Sequence, residues 1–147
     1  MPKAIKGKIT PAQIIKIPAN QAVGGWDFDV DVIREFLEAL GIKWDVRIRY
    51  SGAKNGGGMM TVKHDENGNW YHHIVISQWG DLEYQNETLI HELIHAMQFE
   101  RVGVEQFNRD YRKYQRSGKH YLERNPYEVE AESLCKKFAE KWRLLYS

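Results

Sequence analysis

The chain has 147 residues and a mass of 17.3 kDa, enough for one domain with its own core. Its 42% hydrophobic content, with 5 Phe, 5 Trp and 8 Tyr, excludes a disordered or fibrous chain. A formal net charge of +1 excludes a strong overall field for nucleic acid or membrane, and no apolar run approaches the ~18 residues of a membrane span.

The chain divides into an arm, residues 1–25, and a single domain, residues 26–147. Pro2, Pro11, Pro18 and Gly24-Gly25 punctuate the arm, and residues 1–26 carry four lysines and no acid. Asp29 to Leu40 reads as a helix. Its stripe is Val32, Ile33, Phe36, Leu37 and Leu40, and Gly41 is its stop. Trp44–Tyr50, Gly57–His64 and Trp70–Ser77 read as strands. Asp65-Glu66-Asn67-Gly68-Asn69 is the turn between the last two, because Asn-Gly supplies positive φ. Asn86 is expected to cap a helix running to about Arg101, with Gly103 ending it. A further helix covers roughly Val104 to Arg116. The last starts at Asn125-Pro126 and runs to the C-terminus. The order is that of an α+β domain: an N-terminal helix, a short and mostly antiparallel sheet, then a helical half. One cysteine, Cys135, cannot form an internal disulfide, and the first residues lack the apolar stretch of a secretory signal. Both point to the cytoplasm.

The chemistry is concentrated in His91-Glu92-Leu93-Ile94-His95. On a helix, imidazoles at i and i+4 lie about 40° apart around the axis and one turn apart along it, so both reach one metal ion. Zinc accepts nitrogen ligands and, in catalytic sites, keeps a position open for water. Glu92 is placed to take a proton from that water as general base. On a helical wheel the apolar residues Leu89, Ile90, Leu93, Ile94, Ala96 and Met97 fill a separate arc. The helix therefore packs by one face and presents its histidines from another. The alternative is two surface histidines on an amphipathic helix.

Two histidines hold zinc weakly, so a third ligand is expected. A metzincin would continue with Gly and His three and six positions after His95. Gln98 and Arg101 stand there and exclude that branch. Glu128, in Asn125-Pro126-Tyr127-Glu128-Val129-Glu130-Ala131-Glu132, lies at the edge of the apolar face of the last helix. Glu130 falls on the solvent side. Glu132, one turn on, is placed to hydrogen-bond a ligand histidine. Glu128 also suits a capping box with Asn125. His120 is the other candidate ligand. It reads otherwise as a polar loop residue or as a group that polarises a substrate carbonyl.

His91-Glu92-Leu93-Ile94-His95-Ala96-Met97-Gln98, followed by Asn125 to Ala131, resembles the minimal gluzincin metallopeptidases. These are short relatives of the thermolysin-type proteins. The resemblance covers about residues 70–147. It implies a small zincin-like domain, one zinc per chain on His91, His95 and Glu128, and Glu92 as general base. Many members have Asp where Glu132 stands, a departure. The family places an edge strand before the motif helix, where a substrate peptide pairs as an extra strand, and this implies that role for Trp70–Ser77. A second resemblance, to SprT-like proteases acting on DNA-bound proteins, rests on Ile74–Ser77 before Thr88–Glu92. It would require His120 as third ligand.

The expected function is therefore a zinc-dependent endopeptidase with a peptide or protein substrate. His120, Tyr121 and Tyr127 are candidates for the oxyanion donor. The alternative is a metal-binding or nucleic-acid-associated module with a zincin fold and no hydrolysis. Residues 101–124, with seven Lys/Arg against three acids, motivate it. A solvated basic helix face with its aromatics packed inward is the preferred reading of that segment. Gly56-Gly57-Gly58 reads as a turn and not a phosphate loop. His72 and His73 point to opposite faces of their strand, so only one can face a cleft. No membrane partner is expected, and the oligomeric state is left open.

Overall fold

The computed structural model describes residues 26–51, 56–115 and 125–146. The arm, His120 and Tyr121 lie outside these residues. The described chain is α+β. Its order is β1 (Asp27–Phe28), α1 (Val30–Leu40), β2 (Asp45–Ser51), β3 (Gly58–His64), β4 (Trp70–Ser77), α2 (Leu82–Val102), α3 (Val104–Gln115), α4 (Pro126–Lys141) and β5 (Leu145–Tyr146).

Local chemistry sets most of the boundaries. Asp29 caps α1 by accepting from Val32 N, and Gly41 ends it in the left-handed region at φ 75°. Asp65 Oδ1 accepts from the N–H groups of Asn67 and Asn69 in the β3–β4 turn, where Gly68 has φ 82°. Asn125 caps α4 by accepting from Tyr127 N, with Pro126 in the first turn.

The three-stranded sheet has the order β2-β4-β3, with β4 parallel to β2 and antiparallel to β3. It is thus mixed, which corrects the expected mostly antiparallel sheet. The β3–β4 hairpin is antiparallel because a short turn joins it. The longer connection through β3 lets β2 enter in the other sense. The edge strand beside the motif helix is β3, and β4 is central. This corrects the expectation that Trp70–Ser77 is the free edge.

Alternation buries one face of the sheet. Val46, Ile48, Tyr50, Ile74 and Ile76 join Leu89, Ile90, Leu93 and Ile94 of α2 in one buried cluster. Ile33, Phe36 and Leu37 of α1 and Ala131 and Cys135 of α4 complete the same core. A second, smaller cluster joins Phe99, Phe107 and Tyr127 at the far end of α2. The motif helix is therefore the central element, packed by the sheet, α3 and α4.

Two further boundaries differ from expectation. Helix α2 starts at Leu82, capped by Asp81, which accepts from Tyr84 N. Asn86 lies inside the helix, buried. Its side chain donates to Trp142 O at 3.0 Å and accepts from Leu144 N at 2.7 Å. The chain after Lys141 leaves the helix, and β5 pairs antiparallel with β1. Leu144 and Leu145 are fully buried there. No helix among the described residues is long and apolar enough to cross a membrane.

Candidate metal centre

His91 and His95 project from the middle of α2, and Glu128 from the first turn of α4. Packing of α4 along α2 brings the three together. His91 Nε2 and His95 Nε2 are 3.2 Å apart. Glu128 Oε1 lies 3.3 Å from the first and 3.4 Å from the second. A tetrahedral zinc with bonds of ~2.0–2.1 Å spaces its ligand atoms about 3.3–3.4 Å apart, so this triangle matches one face of such a site.

The surrounding hydrogen bonds leave the right lone pairs for a metal. Gln98 is fully buried, and its Nε2 donates to Tyr127 O at 3.0 Å and to Glu130 Oε1 at 2.7 Å. Both partners are acceptors only, so the amide orientation is fixed. Gln98 Oε1 then faces His95 Nδ1 at 2.8 Å, and that nitrogen must be the donor. The proton on Nδ1 leaves the Nε2 lone pair of His95 directed at the triangle. Arg101 holds Glu130 from outside, at 2.7 Å. At the third corner of the triangle, the Tyr111 hydroxyl donates to Glu128 Oε2, leaving Oε1 to face the histidines. The donor set, two imidazole nitrogens and a carboxylate oxygen, fits zinc.

The charges follow from this arrangement. Burial works against the ionised form of Glu128, but hydrogen bonds with His91, His95 and Tyr111 together hold its carboxyl far below the usual range. The hydrogen bond to Glu128 raises the pKa of His91 against the effect of burial. Glu92 is 8% exposed, and burial pushes its carboxyl up against the pull of His95 and His91.

These groups open onto a cleft of about 530 Å³. Glu92 lies in its floor beside the triangle. One wall is β3 at Gly58, Met59 and Met60, and the other is α3 at Phe107, Asn108, Tyr111 and Arg112. Position 58 is tight for any side chain. A Cβ there would come within 2.9 Å of Thr88 Cγ2, 3.1 Å of Glu92 Cγ and 3.2 Å of Val75 O. The glycine run thus starts the cleft-edge strand with its backbone close against the motif helix.

The other expected site residues separate. Glu132 Oε2 is 3.9 Å from His91 Nδ1, and its mostly exposed carboxylate also lies 3.8 Å from Lys136. It is a loose neighbour of that ring. Tyr127 does not line the cleft. Its hydroxyl donates to Asp110 Oδ2 at 2.6 Å, and its ring packs on Phe107. This removes it as an oxyanion donor. Glu130 stays partly exposed, and its carboxylate also anchors Gln98 and Arg101 across to α2. Neither His72 nor His73 lines the cleft. His72 is buried and pairs with Glu100 at 2.6 Å, while Arg49 Nε donates to His73 Nε2 at 3.3 Å. On α3, Phe107 and Tyr111 pack inward, as expected of that segment.

Sequence reasoning missed Gln98 and Tyr111. Gln98 carried a usable signal, since three residues after His95 on a helix is a facing position. Tyr111 carried none, because its role depends on how α3 meets α4. Comparison with protein-family models, curated proteins and solved structures finds no match for this chain.

Proposed function

We propose that the protein is a zinc-dependent peptidase of zincin-like architecture, with His91, His95 and Glu128 as the metal ligands. The observation that carries this reading is the donor triangle, with edges of 3.2, 3.3 and 3.4 Å. Two features of the cleft add support. Glu92 is buried beside the triangle, and β3 presents a backbone edge that no described strand pairs.

Zinc in this site would bring the pKa of a water to near 7 and polarise a carbonyl as a Lewis acid. The chain does the rest. Gln98 and Tyr111 keep the ligand atoms aimed at the centre. The β3 edge takes an extended peptide by backbone hydrogen bonds and sets its carbonyl over the floor of the cleft. Glu92 receives the proton of the attacking water on its carboxylate and passes it to the leaving nitrogen. Its burial holds the carboxylate beside the triangle, where it can accept that proton.

Elemental analysis of the purified chain tests the metal set. One zinc is expected in the wild type and in His120→Ala, and none in Glu128→Ala. Loss with His120→Ala alone would transfer the third ligand to His120 and favour the SprT-like reading. Glu92→Gln is expected to keep zinc and lower peptide hydrolysis by about 10²–10⁴-fold. Zinc binding without peptide hydrolysis in the wild type would leave the non-hydrolytic module in its place.

A further inference from the structure

The two walls of the cleft differ in chemistry. The β3 wall offers backbone and the exposed, uncharged side chain of Met59. The α3 wall is layered. Phe107 and Tyr111 lie deep and belong to the second apolar cluster. Above them Asn108, Arg112 and Gln115, spaced i, i+4 and i+7, form one polar line along the cleft.

Arg112 is the only lysine or arginine that lines this cleft among the described residues. The described residues also give it no ion pair. The nearer acid of its own helix, Asp110, is engaged elsewhere. Asp110 accepts from Tyr127 on one oxygen and from Gln106 on the other, and its charge is felt by Lys113 and Arg109. Glu128, a carboxylate of the cleft, is engaged by Tyr111, His91 and His95. An exposed guanidinium is thus held one residue beyond the tyrosine that touches the metal triangle, with two neutral amides in line with it.

We infer that this wall selects the substrate: the cleft takes a peptide carrying a carboxylate within one or two residues of the scissile bond, and Arg112 receives that carboxylate. The inference rests on the peptidase reading. A guanidinium binds a carboxylate through two parallel N–H donors, which favours the acid over a neutral amide and opposes a lysine. Asn108 and Gln115 supply further N–H donors beside it. The carboxylate belongs either to an Asp or Glu side chain or to the C-terminus of the peptide. The layer beneath, Phe107 and Tyr111, accommodates the apolar stem of that residue.

The test is cleavage of a random peptide library by the zinc-loaded full chain, followed by matched peptides bearing Glu, Gln or Lys at the selected position. The expected result is a preference for Glu over Lys of about tenfold or more in kcat/KM. Arg112→Gln removes the preference and Arg112→Glu inverts it, with zinc content and far-ultraviolet circular dichroism unchanged in both. Lys113→Glu makes the same charge change outside the cleft and leaves the preference in place. A second pair of peptides, with a free C-terminus or an amide, separates the two sources. Cleavage confined to the chain end and lost on amidation assigns the terminal carboxylate. Cleavage without an acidic preference, or a preference that Arg112→Glu does not alter, overturns this inference and leaves the peptidase reading standing. No cleavage of any library by the wild type overturns both.

Discussion

At the scale of single residues, the geometry of the donor triangle depends on groups outside it. Gln98 is the clearest case. It is sandwiched between two acceptors and one histidine, so its amide cannot rotate without breaking a buried hydrogen bond. Gln98→Leu is expected to weaken zinc binding about 10–100-fold, measured by competition with a chromogenic chelator. Unchanged affinity would show that His95 holds its tautomer without help. The HExxH spacing and the placement of Glu128 beside the apolar face of α4 were legible in the sequence, because helical geometry fixes both. For Glu130 the same wheel read the exposure and missed the bonds. Its side chain reaches round to Gln98 and Arg101, and such a bond depends on a neighbouring helix that a wheel does not contain.

At the scale of elements, α2 links the site to the rest of the fold. Its motif turn faces α4, its apolar faces meet the sheet and α1, and Asn86 ties its first half to the C-terminal segment. Asn86→Ala leaves Trp142 O and Leu144 N without these partners in a buried place. The expected loss is about 2–4 kcal/mol, read from urea unfolding, with each unpaired buried group costing ~1–3 kcal/mol. A loss under ~0.5 kcal/mol would mean that solvent reaches both groups. Sequence reading set Asn86 as a cap because its side chain suits one. Asp81 does that work instead, and Asn86 caps nothing on its own helix. Edge strand β3 makes a second prediction at this scale. Gly58→Val pushes backbone away from Thr88, Glu92 and Val75. Peptide hydrolysis is expected to fall by at least about tenfold with zinc content retained, since a small misplacement of the binding edge is costly. Wild-type activity in Gly58→Val would remove β3 as a substrate-positioning edge.

At the scale of the whole molecule, the ends of the domain close on each other. Strands β1 and β5 pair, and Asp29 N donates to Leu144 O at 2.8 Å. Tyr50 locks this region. Its hydroxyl donates to Trp26 O at 2.8 Å and accepts from Trp26 N at 2.8 Å, and its ring stacks on Phe28. Burial pushes the Tyr50 phenol up to about 12. The unfolded chain loses this proton near pH ~10 while the folded one keeps it. Stability from this group is therefore complete below pH ~10 and declines as pH rises toward 12. The urea midpoint is expected to fall over that range, and to fall less steeply in Tyr50→Phe. Parallel slopes for the two proteins would show that the phenol titrates normally.

Residue patterns alone reveal where the helices lie, though not all their ends, together with the β3–β4 hairpin, the α+β class and the paired histidines with Glu92 between them. Caps, Asn-Gly turns and the helical period act over a few residues, so a few residues reveal them. The packed fold was needed to show that β4 is central and β2 parallel to it, and that Leu145–Tyr146 return as β5. It alone brought Glu128, Tyr111 and Gln98 around one point and set Arg112 on the cleft wall. These features arise where separate elements bury surface against each other, and their partners come from distant parts of the chain, as Asp27 and Tyr146 do in the β1–β5 pair. Local patterns carry no record of such meetings; the packing of α2 between sheet and helices creates them.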